Sequence, residues 1–515
     1  MCEAVLLHWR SSPKWCFIPL KHPWAKIVRM RRFHLPLLLV LAGLAKGQLP
    51  GTAPATSPVT PPGTFVELPY LQLGDAPALA KQESMMVLWH TETAGVWTVQ
   101  VRAPKEKTWR PMAAPTVQTV DAPGIAKHQV YRARLTGLKP GEAFAYQVLK
   151  DGQAVFQAEG RARKSAAQPV RFALFGDSSQ NTPGQRAIAY QTALTKPDFV
   201  FVTGDIVYTS GRISEYREKF FPIYNAETAS ATTGAPLIRS VPMIAAPGNH
   251  DTVLQNFARF PDSLAYFLYW DQPLNGPRVS SGAPKTVHQL TGSEAAQPAF
   301  RAAAAPRYPV MANFSFDYGN AHWTVLDSNN YMDWNNPELR AWVEKDLASA
   351  SGATWRFVAF HHPGFNSSHS HFTDQWMRSL APVFEKGKVD VVFAGHVHNY
   401  QRSFPLTFTP KPQPDGSAMG SKGEVAGDWK LDKQFGTAAD TAHKPNGVLY
   451  IVSGGGGAGL YDPAQMNEPA SWQSFTDKFI SNTHSFSLVD IDAKSFRFRQ
   501  ISETGEELDS FRIQK

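Results

Sequence analysis

The run Asp198-Phe-Val-Phe-Val-Thr-Gly204-Asp205-Ile-Val-Tyr208 is an apolar stretch of strand character that halts on glycine and then on groups able to hold a cation. Four other runs share this plan. Arg171-Phe-Ala-Leu-Phe leads into Gly176-Asp177-Ser178, and Val241-Pro-Met-Ile-Ala-Ala-Pro leads into Gly248-Asn249-His250-Asp251. Trp355-Arg-Phe-Val-Ala-Phe leads into His361-His362-Pro363, and Val389-Asp-Val-Val-Phe-Ala leads into Gly395-His396-Val-His398. Helical patterns such as Glu338-Leu-Arg-Ala-Trp-Val-Glu-Lys-Asp-Leu347 lie between the runs, and the chain turns largely β from about Val448. Strand runs alternating with helices predict an α/β domain from residue 168 onward. In open α/β sheets ligands bind beyond the carboxyl ends of the strands, so the five tips predict one cleft. The glycines before Asp177, Asp205, Asn249 and His396 predict a sharp turn at each tip.

Singly, each tip is ordinary. Gly-Asp after a strand is usually a turn, and His-x-His at period two only sets two imidazoles on one face. Together, in order, they supply two carboxylates (Asp177, Asp205), a phenol (Tyr208), an amide (Asn249) and three imidazoles (His361, His396, His398). Such a hard N/O set without sulfur suits iron, manganese or zinc rather than copper(I) or a cluster.

The rest of the chain frames this region. At 515 residues the protein is too long for one ordinary domain. With 43% hydrophobic and 18% charged residues it is no disordered polymer. The formal charge of +8 invites a nucleic-acid reading, but residues 1–47 alone carry +7, and the remainder is nearly neutral with 43 basic and 42 acidic residues. No nucleic-acid-binding surface is expected. Met30-Arg-Arg-Phe-His opens a basic segment, followed by the apolar run from Leu35 to Leu44 and by Ala45-Lys46-Gly47, the pattern of a secretory signal peptide over residues 30–47. That run is too short to span a bilayer, which takes roughly 20 residues, so no transmembrane segment is expected in the mature chain. Residues 1–29 then precede the true start, and with them fall Cys2 and Cys16, the only cysteines. The mature protein is expected to be exported, to periplasm or medium, without disulfides or thiolate chemistry. Residues 48–64, with five prolines and no charge, read as an extended linker. Over residues 65–164, alternating runs such as Met86-Val-Leu-Trp-His, Val96-Trp-Thr-Val-Gln-Val-Arg, Val130-Tyr-Arg-Ala-Arg-Leu and Phe144-Ala-Tyr-Gln-Val predict a small antiparallel sandwich.

Two resemblances follow. Leu135-Thr-Gly-Leu-Lys-Pro-Gly-Glu-Ala-Phe-Ala-Tyr146 resembles the penultimate hairpin of fibronectin type III domains, with Phe144 where the corner tyrosine usually stands and Tyr146 close by. The five tips resemble the GDxG, GDxxY, GNH(E/D), VxxH and GHxH motifs of the purple acid phosphatases, within the calcineurin-like metallophosphoesterases. They read Gly-Asp177-Ser-Ser179, Gly-Asp205-Ile-Val-Tyr208, Gly-Asn249-His250-Asp251, Val358-Ala-Phe-His361 and Gly-His396-Val-His398. The resemblance spans roughly residues 65–513, including Phe316-Asp-Tyr-Gly-Asn-Ala-His-Trp-Thr-Val-Leu-Asp327 and Val448-Leu-Tyr-Ile-Val-Ser-Gly-Gly-Gly-Gly457. Ser179 replaces a glycine of the first motif, and residues 407–444 look like an insertion able to alter substrate access. The implied fold has two domains: a fibronectin III-like all-β sandwich at 65–164 and an α/β/β/α metallophosphoesterase domain at 168–513.

The implied function is hydrolysis of small phosphomonoesters at a dinuclear centre. A ferric site would use Asp177, Asp205, Tyr208 and His398, and a divalent site (iron, zinc or manganese) would use Asp205, Asn249, His361 and His396. Two such cations hold the phosphate and provide a bound hydroxide that attacks phosphorus in line. His250 is the expected proton donor or phosphoryl contact, with Asp251 as an orienting carboxylate, and His371 matches a phosphate-contacting position. His362 and His369 are expected at the surface or behind the ligands, while His90, His128, His288, His322, His443 and His484 are ordinary. The loops at residues 212–240 and 256–307 are expected to shape the substrate pocket. A phosphodiesterase or nucleotidase with the same cluster remains the alternative enzyme, and a non-catalytic surface-binding protein the alternative of another class. Oligomeric state is not legible.

Overall fold

The computed structural model describes residues 60–254, 256–278, 289–435 and 444–515. The expectations for the start at Met30, the signal peptide, Cys2, Cys16 and the linker as far as residue 59 lie outside the described residues, as do His288 and His443. Among the described residues no helix is long and apolar enough to cross a membrane.

Period-two alternation builds the first part. In Trp97–Arg102, Trp97, Val99 and Val101 are buried while Thr98 is exposed. Four strands, Glu67–Gln72, Glu83–Thr91, His128–Leu138 and Thr116–Val120, pair in that order into one antiparallel sheet. A second sheet pairs Arg110–Pro111, Trp97–Arg102, Ala143–Lys150 and Gln153–Arg161. This is the two-sheet layout of immunoglobulin-like sandwiches. Its core is aromatic, with Trp89 stacked on Tyr131 at 5.2 Å between ring centroids and Trp97 packed beside both. Phe144 is buried without a hydroxyl to donate, and Tyr146 spends its own hydroxyl outside the sandwich, on the Arg239 carbonyl at 2.8 Å.

The second part stacks two mixed sheets. One pairs Met243–Ala245, Phe199–Val202 and Val170–Phe175 in parallel, then continues antiparallel through Ser485–Ile491, Ser495–Ser502 and Glu507–Gln514. The other has parallel strands Ala321–Val325, Trp355–Ala359, Val391–Ala394 and Leu449–Ser453 at its centre. It is flanked by Phe314–Tyr318 on one side and by Tyr400–Ser403 and Thr476–Ile480 on the other. Alternate residues serve different layers. Phe172, Phe199, Phe201, Phe357 and Phe393 meet between the sheets around the fully buried Trp323. Ala173, Phe175, Val200 and Val202 face the helix Pro183–Leu194, and Val358, Val392 and Ala394 face the helices Pro337–Ser349 and Ala381–Lys386. Each large apolar side chain buried this way contributes about 1.5–3 kcal/mol, so the inter-sheet aromatics are the main fastening of the α/β/β/α stack. Asn336 caps its helix by accepting from the amides of Glu338 and Leu339, with Pro337 in the first turn, as the sequence pattern requires.

Parallel register brings the tips together. Val202 pairs with Phe175 and Ala245, and Ala359 pairs with Val325 and Phe393, so each sheet ends its metal-competent strands at one level. The sandwich is bolted to this body by buried polar groups. Arg163 bonds Glu83 through Nε at 2.8 Å and donates to the carbonyls of Ala76, Ala78 and Asp317, so its charge is paired and its donors are filled. Tyr70 donates to the Tyr269 carbonyl at 2.8 Å, and the Tyr269 hydroxyl lies 2.9 Å from Nε2 of His128.

Candidate metal centre

The glycine expected to turn at the tips does so at Gly204, with φ of 89°, but not at Gly176, Gly248 or Gly395. Left-handed backbone also falls on the polar residues themselves, with φ of 57° at Asp177, 49° at Asp205 and 67° at His396. L-residues adopt that region at a cost, and such conformations gather at functional sites. Gly248 serves close approach instead, because a Cβ there would run into the Asp205 carboxylate. Ser179, at the departure from the GDxG pattern, is buried, and its hydroxyl accepts from Nε2 of Gln185 at 3.0 Å, so the substitution is absorbed away from Asp177.

All seven predicted ligand residues come together. The Tyr208 hydroxyl lies 3.1 Å from Oδ1 of Asp177 and 2.9 Å from Nε2 of His398, which is itself 3.4 Å from Asp177. On the other side, Nε2 of His361 lies 3.2 Å from Oδ2 of Asp205, 3.0 Å from Oδ1 of Asn249 and 3.2 Å from Nδ1 of His396. Asp177, Asp205 and His361 offer ligand atoms within 4.8 Å of one another, which joins the two halves.

Tautomers decide what this cluster wants. His361 Nδ1 faces the Thr203 carbonyl at 2.8 Å, His398 Nδ1 faces the Gly459 carbonyl at 2.6 Å, and His396 Nε2 faces the Asp374 carboxylate at 3.1 Å. An oxygen acceptor fixes the N–H on each of those remote nitrogens, so the neutral rings turn lone pairs inward. The His361 lone pair meets the Asp205 carboxylate and the Asn249 amide oxygen, acceptors that only protons or cations satisfy, while that of His398 meets the Tyr208 hydroxyl beside Asp177. Without a cation, protons fill the gap. Burial opposes charge on His361, but the Asp205 and Asp177 carboxylates prevail and push its imidazole up to about 9. Burial also raises Asp205, yet His361, His250 and His396 outweigh it and hold the carboxyl well below its usual range. Burial, reinforced by the charges of Asp177 and Asp205, pushes the Tyr208 phenol up, an order that a bound trivalent cation inverts. The donors fit metal cations in chemistry and in orientation.

The neighbours of the cluster sort differently. His250 keeps Nδ1 on the Thr209 carbonyl at 2.7 Å and holds Nε2 3.8 Å from Asp205, with its ring about a third exposed. Asp251 does not orient that ring. Its carboxylate accepts from the backbone amides of Gly248, at 2.8 Å, and of Ile206, at 3.0 Å, so it ties the Asn249 turn to the Asp205 turn. His371 is exposed at the rim, with Nδ1 3.1 Å from Asp374 and its ring 4.1 Å from that of His396. His362 lies buried behind the ligands, its ring 4.3 Å from that of His396 and its Nδ1 bonded to Ser328 at 3.0 Å, while His369 is exposed.

Four contributors escaped the sequence reading. Asp374 bridges His371 and His396, and those two bonds hold its carboxyl at about 2 in spite of its burial. Ser328 accepts from the amides of both His361 and His362. The carbonyls of Thr203 and Gly459 have no side-chain signature at all, whereas Asp374, three residues after His371, was open to a search for acids near each histidine. The cleft beside the cluster, of about 580 Å³, is lined by Asn249, His362, His371, Asp374 and His396, by Met332, Trp334 and their neighbours, and by residues 419–423. The loops at 212–240 and 256–307 do not line it among the described residues. Their aromatic side chains, including Tyr216, Phe220, Tyr266 and Trp270, are instead used in the core beneath the sandwich.

Comparison with known proteins agrees with this geometry. Residues 170–400 match the Calcineurin-like phosphoesterase family. The chain carries a calcineurin-like metallophosphoesterase domain. It is 24% identical over 465 residues to an uncharacterized protein of Mycobacterium tuberculosis, covering 79% of this chain and 78% of the other. It is 25% identical over 406 residues to the nucleotide pyrophosphatase/phosphodiesterase of Hordeum vulgare, covering 76% and 88%. The purple acid phosphatase PPD1 of yellow lupin shares the fold at a TM-score of 0.59 with 19% identity, covering 87% of this chain and 74% of that one. The purple acid phosphatase resemblance of the motifs thus extends to the architecture of both parts.

Proposed function

We propose that this chain is an exported dinuclear-metal acid phosphatase acting on phosphomonoesters. The observation that carries the reading is the inward turn of the His361, His396 and His398 lone pairs onto Asp177, Asp205, Tyr208 and Asn249 at the floor of a cleft. Asp177, Tyr208 and His398 would hold one cation, Asn249, His361 and His396 the other, and Asp205, with two oxygens, would bridge them. When bound, such a pair neutralises phosphate oxygens and lowers the pKa of water.

The chain's own groups do the rest. The Thr209 carbonyl fixes the N–H of His250 on Nδ1, which leaves Nε2 on the site side. Protonated there, His250 donates to the departing alkoxide or to a phosphoryl oxygen, a step that typically adds 10²–10⁴-fold to a rate. His371, held by Asp374 on the cleft rim, offers a second imidazole to the phosphate or its leaving group. A phosphodiesterase or nucleotidase activity is the second reading, favoured by the Hordeum vulgare relative, whose name states diester and pyrophosphate cleavage.

Metal analysis of the purified protein, with a monoester and a diester assayed side by side, separates the two readings. Asp205→Asn removes the anionic bridge, so it is expected to lose turnover on both substrates and to bind fewer ions while keeping its circular dichroism. Near-wild-type turnover with both metals retained would reject the assigned cluster.

A further inference from the structure

The segment read as an insertion returns to the site. Its strands Leu406–Pro410 and Gly427–Leu431 pair as an antiparallel hairpin, and the excursion between them brings residues 419–423 to the cleft. The excursion is fastened there. Gln375 donates from its backbone to the Gly423 carbonyl at 3.2 Å, and its side chain accepts from the Val425 amide at 3.1 Å. Gly423 packs so tightly on the Trp376 ring that a Cβ would stand 2.6 Å from it. Trp376 is itself pinned by its indole N–H to the Ser328 carbonyl at 2.7 Å, the same serine that orients His361 and His362. The tip is therefore registered on the backbone of the metal-ligand residue His361 through Trp376 and Ser328.

Two side chains on that wall have no structural duty. Met419 is one of three large apolar side chains exposed among the described residues, at 39%, and the only one of the three that lines this cleft. Lys422 is the one permanent cation among the lining residues, and no described carboxylate lies within ion-pair distance of its ammonium. Glu424, the nearest acid in sequence, accepts instead from the backbone amide of Lys422 at 3.0 Å. The lining acids are engaged elsewhere: Asp374 by His371 and His396, and Asp333 by the amide of Asn335. Met332, Trp334 and Trp376 line the same cleft, with the Trp334 indole fixed to the Asp327 carbonyl at 2.8 Å. A rigid aromatic and thioether wall fits a flat apolar body, and a cleft of about 580 Å³ lies within the usual range of small-molecule sites, about 300–1,000 Å³.

We infer that residues 419–423 recognise the leaving group, and that they select aromatic phosphate esters whose ring carries a second anionic group for Lys422. The inference rests on the phosphoesterase reading for its chemistry. In that chemistry water adds to phosphorus, the bond from phosphorus to the aryl oxygen breaks, and the aryl oxygen takes a proton.

The test compares 4-carboxyphenyl phosphate, phenyl phosphate and glycerol 2-phosphate in metal-loaded full-length protein. Lys422→Ala is expected to lower the kcat/KM ratio of carboxyphenyl to phenyl phosphate about threefold to fivefold at low salt, the scale of one exposed charge pair, and Lys422→Arg to restore it. Met419→Ala is expected to lower the ratio of phenyl to glycerol phosphate severalfold. Binding of 4-carboxyphenyl phosphonate, measured by calorimetry, reads the same contact without turnover and is expected to weaken in Lys422→Ala. Unchanged ratios and unchanged phosphonate affinity overturn the inference. Absence of wild-type turnover on every ester rejects the phosphatase reading alone, and the phosphonate affinities then decide the role of the tip.

Discussion

Tyr208 stands between Asp177 and His398 with its hydroxyl about 3 Å from each, so any cation held by those two meets the phenol. A phenolate on ferric iron transfers charge to the metal and absorbs visible light, which zinc or manganese(II) with the same ligand does not. Iron-loaded, oxidised protein is therefore expected to be pink to purple, and Tyr208→Phe to lose the band while Asp177, Asp205 and His398 retain the ion. A band that survives in Tyr208→Phe on the absorption spectrum would remove Tyr208 from the ligand set. Asp374 acts one step further out, by fixing the N–H of His396 on Nε2 so that Nδ1 turns inward. Losing such an outer partner typically costs 10–100-fold in metal affinity or activity. Asp374→Ala is expected to show that loss in a metal-competition titration of the site that includes His396, with partial recovery in Asp374→Glu. The Tyr208 band should persist, since it reports the other cation; its disappearance would mean general collapse of the cluster.

At the scale of elements, the five strand tips were legible because a buried strand that stops on Gly-Asp, Gly-Asn-His or Gly-His-x-His leaves a period-two record. The eight-strand sandwich was half legible. Trp97–Arg102 alternates cleanly and Glu83–Thr91, His128–Leu138 and Ala143–Lys150 carry long apolar runs, whereas Arg110–Pro111 and Thr116–Val120 are short edge strands with mostly exposed residues and little pattern to read. The glycines were read for turning, which holds at Gly204, yet at the other tips the positive φ angles fall on Asp177 and His396, and Asp205 shares the turn with Gly204. Gly248 makes the point testable. Gly248→Ala pushes a methyl group against the Asp205 carboxylate and the backbone amide of Asp205. It is expected to displace the bridging residue and cut metal retention and turnover at least tenfold, with thermal unfolding lowered by a few degrees only. Full metal occupancy in that variant, measured by elemental analysis, would show that the turn yields.

Across the whole molecule, the sandwich and the phosphoesterase domain share buried polar contacts that set a pH limit. His128 accepts from the Tyr269 hydroxyl through Nε2 and keeps its N–H on the Ala126 carbonyl, so it is held neutral. Burial, aided by the Arg217 charge and opposed by the Ala126 bond, pushes its imidazole down to about 4. A histidine depressed in the folded state takes up a proton first in the unfolded state. Stability is therefore whole above pH 6.5, falls as pH drops toward 4 and then levels off. The loss is on the order of 3 kcal/mol. Melting temperature is expected to decline over that window in wild type and to decline less in His128→Gln; parallel profiles would remove His128 as the cause. This window overlaps the acid range of the proposed activity, so the domain contact bounds how acid a medium the enzyme tolerates.

What the sequence by itself determined is local and chemical: strand runs, their periods, the donor types at their tips and the absence of sulfur from them, all recorded within a few residues of each motif. What only the tertiary structure decided is convergence and orientation. Which nitrogen of His361, His396 and His398 turns inward depends on a carbonyl at Thr203, a carboxylate at Asp374 and a carbonyl at Gly459, partners 22 to 158 positions away in the chain. Asp251 left the imidazole expected for it because three-dimensional crowding offered it backbone amides of two separate turns. The tip at residues 419–423 became part of the site because hydrogen bonds to Gln375 carry it there, a contact between segments about 50 residues apart for which no period or motif exists to be read.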